Sequence, residues 1–519
     1  MAHAQLDVYS HGVKFSRYSL RFAHLLGEYM RQHCLQTVKR RDKRSGRMVT
    51  EALNTFAAAR SDYSEVYLLK SQLPVFFEFA HKRGYSREHM DIIEHPIVPG
   101  IKVSFNKIWK FEWKEEQPQW LEYMTNAKGY SLNTAQTGKG KSAMSMEMIY
   151  RRGVRTAMIL SPKYMKNWHG SLFGFFDFEE GEIIEVRGKD PKKPPHPKIP
   201  VYSMEEFQDA VDHGLEFKIV IISINLMQRY ISDYEANNCI APYTYAPSEL
   251  WQKCGIGLLV HDEAHEWLHF LYKVQCYANV PEIIYLSATV ENDDAFIERM
   301  YTLMFPMQGR YNGGAWDKYI VSTAVTYALT STEKVRYKGF GGSYSHILFE
   351  QSILKHERLK KAYYDFIFKV ITNGFMNAYQ EGMKMLVYCA SVEMCQSLAH
   401  YLGERLPMLT VGAYTQKEDF ETLFDNDVSV TTVKSAGTGI DLPDLVFTFM
   451  TLAMGSRQGN IQVLGRLRKL RGKFEGLTPN FYYLVCRDIE AHRKYHQKKV
   501  ENFSDKVLTQ RIIDTDFEL

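Results

Sequence analysis

The sequence predicts an α/β protein of two parallel-sheet domains in tandem, preceded by a small α/β N-terminal domain. Three observations carry that expectation. Short, almost wholly apolar runs suited to strands alternate with longer helix-forming segments, the pattern of a parallel sheet covered by helices. The runs are too evenly apolar to leave one face in water, so they should be buried on both sides. Several of them end in small polar or acidic residues, at the edge where open parallel sheets gather their ligands.

At 519 residues the chain has room for about three or four domains of ordinary size. We expect the small domain over residues 1–105, the first parallel-sheet domain over 106–305, a connector over 306–350 and the second sheet domain over 351–519. The composition, 45% hydrophobic and 24% charged, is that of a globular chain. A net charge of +4 neither demands nor forbids a polyanionic partner. No apolar run approaches the roughly 20 residues of a membrane span, and the opening residues lack the basic-then-apolar layout of a secretory signal. The seven cysteines (34, 239, 254, 276, 389, 395, 486) are scattered without CxxC. That spacing predicts a reduced, cytoplasmic protein with neither a disulfide framework nor a zinc ribbon.

In chain order, Leu20–Cys34 reads as a helix. The basic run Lys39–Arg47 reads as a solvated loop, or as a phosphate contact if the protein grips nucleic acid. A strand at Val66–Lys70 and a helix ending near Gly84 complete the small domain. In the next domain Ala157–Leu160, Lys218–Ile224, Gly255–Asp262 and Ile283–Thr289 are buried strands. The proline-rich stretch Gly188–Pro200 is a surface loop. The glycines at 313–314 and 339–342 mark the connector. The second half runs through a helix at Ser352–Thr372, a strand at Lys384–Ala390, a helix to Leu402 and four further apolar strands, and ends in a basic helix-like tail.

The chemistry concentrates in a few places. Gly138, Lys139, Gly140, Lys141 and Ser142 stand before a helix-favouring run. Glycine permits the dihedrals and close approach by which backbone N–H groups surround a polyphosphate. Lys141 suits the terminal phosphates, Ser142 suits Mg²⁺, and the helix N-terminus adds favourable charge. Asp262 and Glu263 follow an apolar strand: one acid to hold metal, the other to orient an attacking water. His265-Glu266-Trp267-Leu268-His269 overlaps them and matches the zinc-protease pattern HExxH, but the phosphate-loop reading already accounts for both acids. Ser287 and Thr289 end the next strand. In the second half a glycine turn with an acid, Gly439 and Asp441, precedes Gln462 and a stretch holding Arg466, Arg468, Lys469 and Arg471. An arginine there could stabilise charge on a transferring phosphoryl group.

Together the ordered stretches AQTGKGKS, DEAH, SAT, SAGTGIDLP and QVLGRLRK resemble the motifs of superfamily 2 DEAH-box helicases and translocases, over about residues 117–471. The resemblance implies RecA-like folds for both sheet domains, ATP as substrate and Mg²⁺ as cofactor. It places Thr137 through Ser142 on the phosphates, Gln117 against adenine, and Lys141, Glu263, Gln462 and Arg466 in catalysis. Asp262 joins Ser142 on the metal, and Gly439, Asp441 and Lys469 join the nucleotide site. His265, Ser287 and Thr289 would couple nucleotide state to movement, and Pro162, Lys163, Asn167, Ser223 and Thr432 would meet the nucleic-acid backbone. One departure stands out: the family's second arginine falls on Lys469, flanked by Arg468 and Arg471, and lysine offers a point charge rather than a planar fork.

Within the superfamily, the small leading domain and compact second half resemble the UvsW-like phage recombination helicases. That likeness implies remodelling of branched or forked DNA by branch migration or unwinding, in the host-cell cytoplasm if the gene is a phage's. The alternatives are an RNA-remodelling helicase, a nucleic-acid clamp that binds ATP without turning it over, and the motor subunit of a restriction complex.

Overall fold

A computed structural model describes residues 3–41, 47–110, 112–136, 138–188, 196–237, 240–288, 290, 292, 294–311, 316–331, 335–339, 342–415, 422–436 and 442–519. The protein is α/β, with two large parallel sheets, and divides into two compact units. The first holds residues 1–135 and 139–313, the second 136–138 and 314–519.

The first unit carries an eight-stranded sheet. Its strands lie in the order Val201–Tyr202, Ile183–Val186, Ile219–Ser223, Thr156–Leu160, Leu258–His261, Glu282–Leu286, Tyr130–Asn133, Arg310–Tyr311, and every pairing is parallel. The five residues of Ile219–Ser223, like those of Thr156–Leu160 and Glu282–Leu286, are all buried. That burial is the physical reason their sequence shows no alternation. Separate apolar clusters pack the two faces.

Residues 1–105 build a second, five-stranded sheet, ordered Ala58–Ala59, Glu65–Leu69, Gly12–Ser16, Ala4–Val8, Met90–Glu94. It has its own core around Phe15, Phe22 and Phe76, yet Phe56, Ala58, Tyr67 and Leu69 belong to the core of the large sheet. Contact is tight: a Cβ on Gly12 would lie 1.8 Å from the carbonyl oxygen of Cys276, so only glycine fits there. Ser10 and His11 reach Asn279 and Val280 at 3.1 Å each. Burial at this seam holds the His11 imidazole down at about 4.

The second unit carries a seven-stranded sheet, again all parallel. Its order is Val411–Tyr414, Val428–Thr432, Lys384–Cys389, Leu445–Met450, Asn480–Cys486, Val321–Tyr327, Thr509–Ile513.

Four expectations are corrected. The connector 306–350 contains Val321–Tyr327, a fully buried strand inside the second sheet. Its Ser and Thr residues hide it from a reading based on apolar runs. The basic tail is the helix Glu490–Phe503, seated through buried His492, Lys499 and Phe503, and the chain then adds an edge strand at Thr509–Ile513. The long helix at 352–372 is two helices, His346–Leu354 and Glu357–Gly374. The basic run is not simply a loop, because its flanks are the paired strands Leu35–Arg41 and Met48–Thr55, while 42–46 lie outside the described residues. Among the described residues no helix is long and apolar enough to cross a membrane, and the cysteines are free and buried; Cys239 lies outside them.

Candidate functional site

The carboxyl edge of the first unit's sheet brings the sequence-predicted residues together. After Tyr130–Asn133 the chain turns at once, with the Asn133 side-chain oxygen accepting the N–H of Ala135 at 2.9 Å. Gly138 and Gly140 sit at φ +85° and +84°, the left-handed region that side chains with a Cβ resist. Helix Lys141–Arg152 starts directly after Gly140, so its first N–H groups face the turn. Lys141 is buried, and its Nζ donates to the Ala135 carbonyl at 2.8 Å. Its ammonium is thereby folded back over the turn it follows.

Gln117 braces this turn from outside. Its Nε2 donates to Lys139 O at 2.8 Å and its Oε1 accepts the N–H of Lys114 at 2.8 Å. A Cβ on Gly140 would come within 2.3 Å of that Nε2. One end of the amide therefore serves the turn and the other the start of its own helix, and an adenine contact would need one of these bonds exchanged. Lys139 pairs with exposed Glu116 at 3.2 Å. Thr137 lies outside the described residues.

Two strands away, Leu258–His261 delivers Asp262 and Glu263. Asp262 Oδ2 accepts the indole N–H of Trp168 at 2.9 Å and Oδ1 accepts the N–H of Glu263 at 2.9 Å. Burial first, and the Glu263 charge second, push the Asp262 carboxyl up to about 7 against the pull of Trp168 and Lys141. Glu263 is buried and stands at φ +47°, a strained conformation for a residue with a Cβ and one that concentrates at functional sites.

The strand between them, Glu282–Leu286, links the two. Ser287 N donates to Asn133 O at 3.1 Å, Ala264 N donates to Leu286 O at 3.0 Å, and Ser287 Oγ lies 2.8 Å from His265 Nδ1. The same His265 nitrogen is 3.4 Å from Glu263 Oε2. Burial holds the His265 imidazole below its ordinary range, against the raising effect of Glu263 and Glu266. The glycine turn, acidic pair and Ser287 thus form one bonded set; Thr289 lies outside the described residues.

The zinc pattern dissolves in this geometry. The helix begins only at Leu268, so His265 and His269 share no helical face. His265 meets Ser287, while His269 Nε2 lies 2.9 Å from Thr55 O. Glu266 accepts Tyr164 OH at 2.8 Å and Lys163 Nζ at 3.0 Å on one oxygen. Among the described residues no group of three His, Cys, Asp or Glu could hold a metal.

Of the expected backbone contacts, Pro162, Lys163 and Asn167 lie exposed on helix Pro162–Phe175. Ser223 is buried at the start of helix Ile224–Ala236, which removes it from that surface. In the second unit Thr432 is half-buried and caps its own turn, its Oγ1 accepting Ser435 N at 3.2 Å. Gln462 is half-buried on helix Arg457–Leu464, and Arg466 is buried in the following turn. Arg468 donates to Gly465 O at 2.8 Å, while Lys469 is exposed. Gly439 and Asp441 lie outside the described residues.

Sequence reasoning missed Trp168 and Asn133. Trp168 carried one signal, its i, i+4 spacing from Tyr164 on a buried helix face; Asn133 carried none. Compared with models of protein families and with curated proteins, the chain matches none.

Proposed function

We propose that the protein is an ATP-dependent nucleic-acid motor, built on RecA-like folds, that remodels branched or forked DNA in replication, recombination or repair. One observation carries this reading. Within the first unit a buried lysine behind a left-handed glycine stands at the end of one strand, and half-buried Asp262 with buried Glu263 at the end of another two strands away, linked through Ser287 on the strand between.

The donor set fits a hard divalent cation: two adjacent acids, one held up at about 7 by burial and its neighbour, make a charge arrangement that such an ion relieves. Ser142 and Asp262 are the residues to hold it, and bound Mg²⁺ would neutralise phosphate charge. Lys141 holds the terminal phosphates of ATP, and the Gly138–Ser142 backbone surrounds the others. Glu263 orients the attacking water and takes up its proton. His265, held neutral by burial, passes the state of Glu263 to Ser287 through Nδ1. Gln462 and Arg466 are assigned to the same triphosphate by motif resemblance.

The test is ATP hydrolysis with and without forked DNA, four-way junctions, single strands and RNA duplexes, followed by unwinding of the same substrates. The expected result is DNA-stimulated hydrolysis, abolished in Lys141→Ala, with junctions and forks separated only when ATP is hydrolysed. Stimulation by RNA alone would assign the motor to RNA. Unchanged hydrolysis in Lys141→Ala would remove the reading.

A further inference from the structure

The paired strands Leu35–Arg41 and Met48–Thr55 form a ribbon of their own, hydrogen-bonded to no other sheet among the described residues. An isolated two-stranded ribbon has little stability in water, so its persistence depends on how it is rooted. Its feet, Cys34 and Phe56, are fully buried, and Phe56 N donates to Cys34 O at 2.7 Å. Next to them Asn54 Nδ2 donates to Gln36 Oε1 at 3.0 Å, and Gln36 Nε2 reaches Asp294 Oδ2 at 3.4 Å. Arg299 donates to His33 O at 2.7 Å, and His269 holds Thr55 O. Beyond these roots the picture reverses. From Thr37 outward, and back as far as Leu53, none of the described side chains is buried. Met48 is 63% exposed, Val49 42% and Leu53 49%.

Folding alone gives no reason for such a feature, since both faces are wet and it adds nothing to a core. Its chemistry points to a polyanion. The register sets Lys39 opposite Thr50, Arg40 opposite Val49 and Arg41 opposite Met48, so each basic residue of the outgoing strand faces an uncharged one, and Arg47 adds a further cation where the return begins.

We propose that this ribbon is a duplex-binding finger that enters the major groove of B-form DNA. Strands about 4.8 Å apart pass into a groove about 12 Å wide and about 8.5 Å deep, which admits a two-stranded ribbon. The five residues from Thr37 to Arg41 reach roughly 17 Å at about 3.4 Å each, more than the groove's depth. Lys39 and Arg47 lie against phosphates on the groove's walls, and Met48 and Val49 meet the apolar edge that thymine methyls present. The deep, narrow major groove of A-form RNA does not admit the ribbon. This inference rests on the reading of DNA as partner and sharpens it, giving the first unit a grip on duplex apart from the backbone contacts assigned to Lys163 and Asn167.

The experiment uses the full chain without nucleotide. Fluorescence anisotropy measures binding to a blunt DNA duplex and to the matching RNA duplex across a salt series, and dimethyl sulfate probes guanine N7 in the major groove. The combined variant Lys39→Ala/Arg40→Ala/Arg41→Ala/Arg47→Ala should bind the DNA duplex about tenfold more weakly or worse, its log affinity falling less steeply with log salt by about 0.9 for each lost phosphate contact. Its guanine N7 protection should disappear, with melting temperature and single-strand-stimulated hydrolysis unchanged. A second variant, Met48→Ser/Val49→Ser, should lose a few-fold in affinity at an unaltered salt slope. The proposal is overturned if the folded combined variant binds the DNA duplex as the parent does, if DNA and RNA duplexes lose affinity equally, or if N7 protection survives. A parent protein with no nucleic-acid-stimulated hydrolysis would sink the motor reading alone, because the ribbon is judged by binding.

Discussion

The two parallel sheets share an architecture and differ in what their buried charges do. In the first, Lys141, Asp262, Glu263 and His265 converge at the strand ends, and Asp262 and His265 find partners in side chains, Trp168 and Ser287. In the second, Glu350 is fully buried, yet its carboxylate accepts the N–H groups of Ala390 and Ser391 and the Ser391 hydroxyl at 2.7–2.8 Å. It fastens a strand end to the start of helix Val392–Arg405. Near it Tyr344 OH lies 2.5 Å from His492 Nε2, and His492 Nδ1 accepts the N–H of Cys486 at 3.1 Å. Lys499 is buried against the Tyr483 ring, 4.3 Å from its centroid. A lone buried carboxylate satisfied by backbone N–H groups and a hydroxyl holds a fold together, whereas two adjacent acids and a buried lysine that act on one another at a sheet's carboxyl edge are the arrangement expected of a site.

That contrast can be broken most directly at Glu263. Glu263→Gln should lower ATP turnover by about 10² to 10⁴, the range for loss of a positioned base, without lowering the melting temperature. A large fall in stability would mean the residue belongs with Glu350 after all.

Glu350→Ala should do the reverse. Leaving two backbone N–H groups and a hydroxyl without their acceptor costs about 3 kcal/mol, visible as an early unfolding transition in urea. Glu350→Gln should recover part of it. Burial holds the Glu350 carboxyl up at about 7, so its charging opposes folding as pH rises from its ordinary value toward 7. The loss in the alanine variant should therefore be larger in acid than at neutral pH.

Lys499 gives a test of opposite sign. Burial lowers it from 10.5 to about 7, so the folded state disfavours its charged form. The penalty is absent above the ordinary value, grows as pH falls and is complete below about 7. Lys499→Met should stabilise the protein by on the order of 2 kcal/mol near pH 6, and the two melting curves should merge near pH 10.5. A gain that persists in alkali would point to packing instead.

The smallest effect is expected at Trp168. Trp168→Phe keeps the ring packing and removes the N–H that favours the charged form of Asp262. The Mg²⁺ concentration for half-maximal hydrolysis should rise about fivefold, as one lost bond of about 1 kcal/mol implies, and more steeply below neutral pH. An unchanged requirement would separate Asp262 from the metal.

Much of this was legible in the chain because burial on both faces demands strands apolar throughout, and Thr156–Leu160, Ile219–Ser223 and Leu258–His261 obey. The glycine turn was legible because glycine at a left-handed position is a local requirement, met at Gly138 and Gly140. Strand Val321–Tyr327 escaped because serine and threonine become buried only when neighbouring strands take up their backbone groups, and those neighbours, Asn480–Cys486 and Thr509–Ile513, come from the far end of the chain. The ribbon escaped because its cations resemble those of any wet loop until pairing is seen.

By itself the sequence determined two helix-covered parallel sheets, the glycine turn before Lys141 and the acidic pair behind an apolar strand. Each follows from local rules of dihedral angle, period and solvation. Only the tertiary structure decided that Glu282–Leu286 lies between those two strands, so that Ser287 bonds to the segments that follow both, that Trp168 holds Asp262, and that strands Leu35–Arg41 and Met48–Thr55 stand out as a rooted ribbon. These depend on pairings between residues far apart in the chain, which no local pattern encodes.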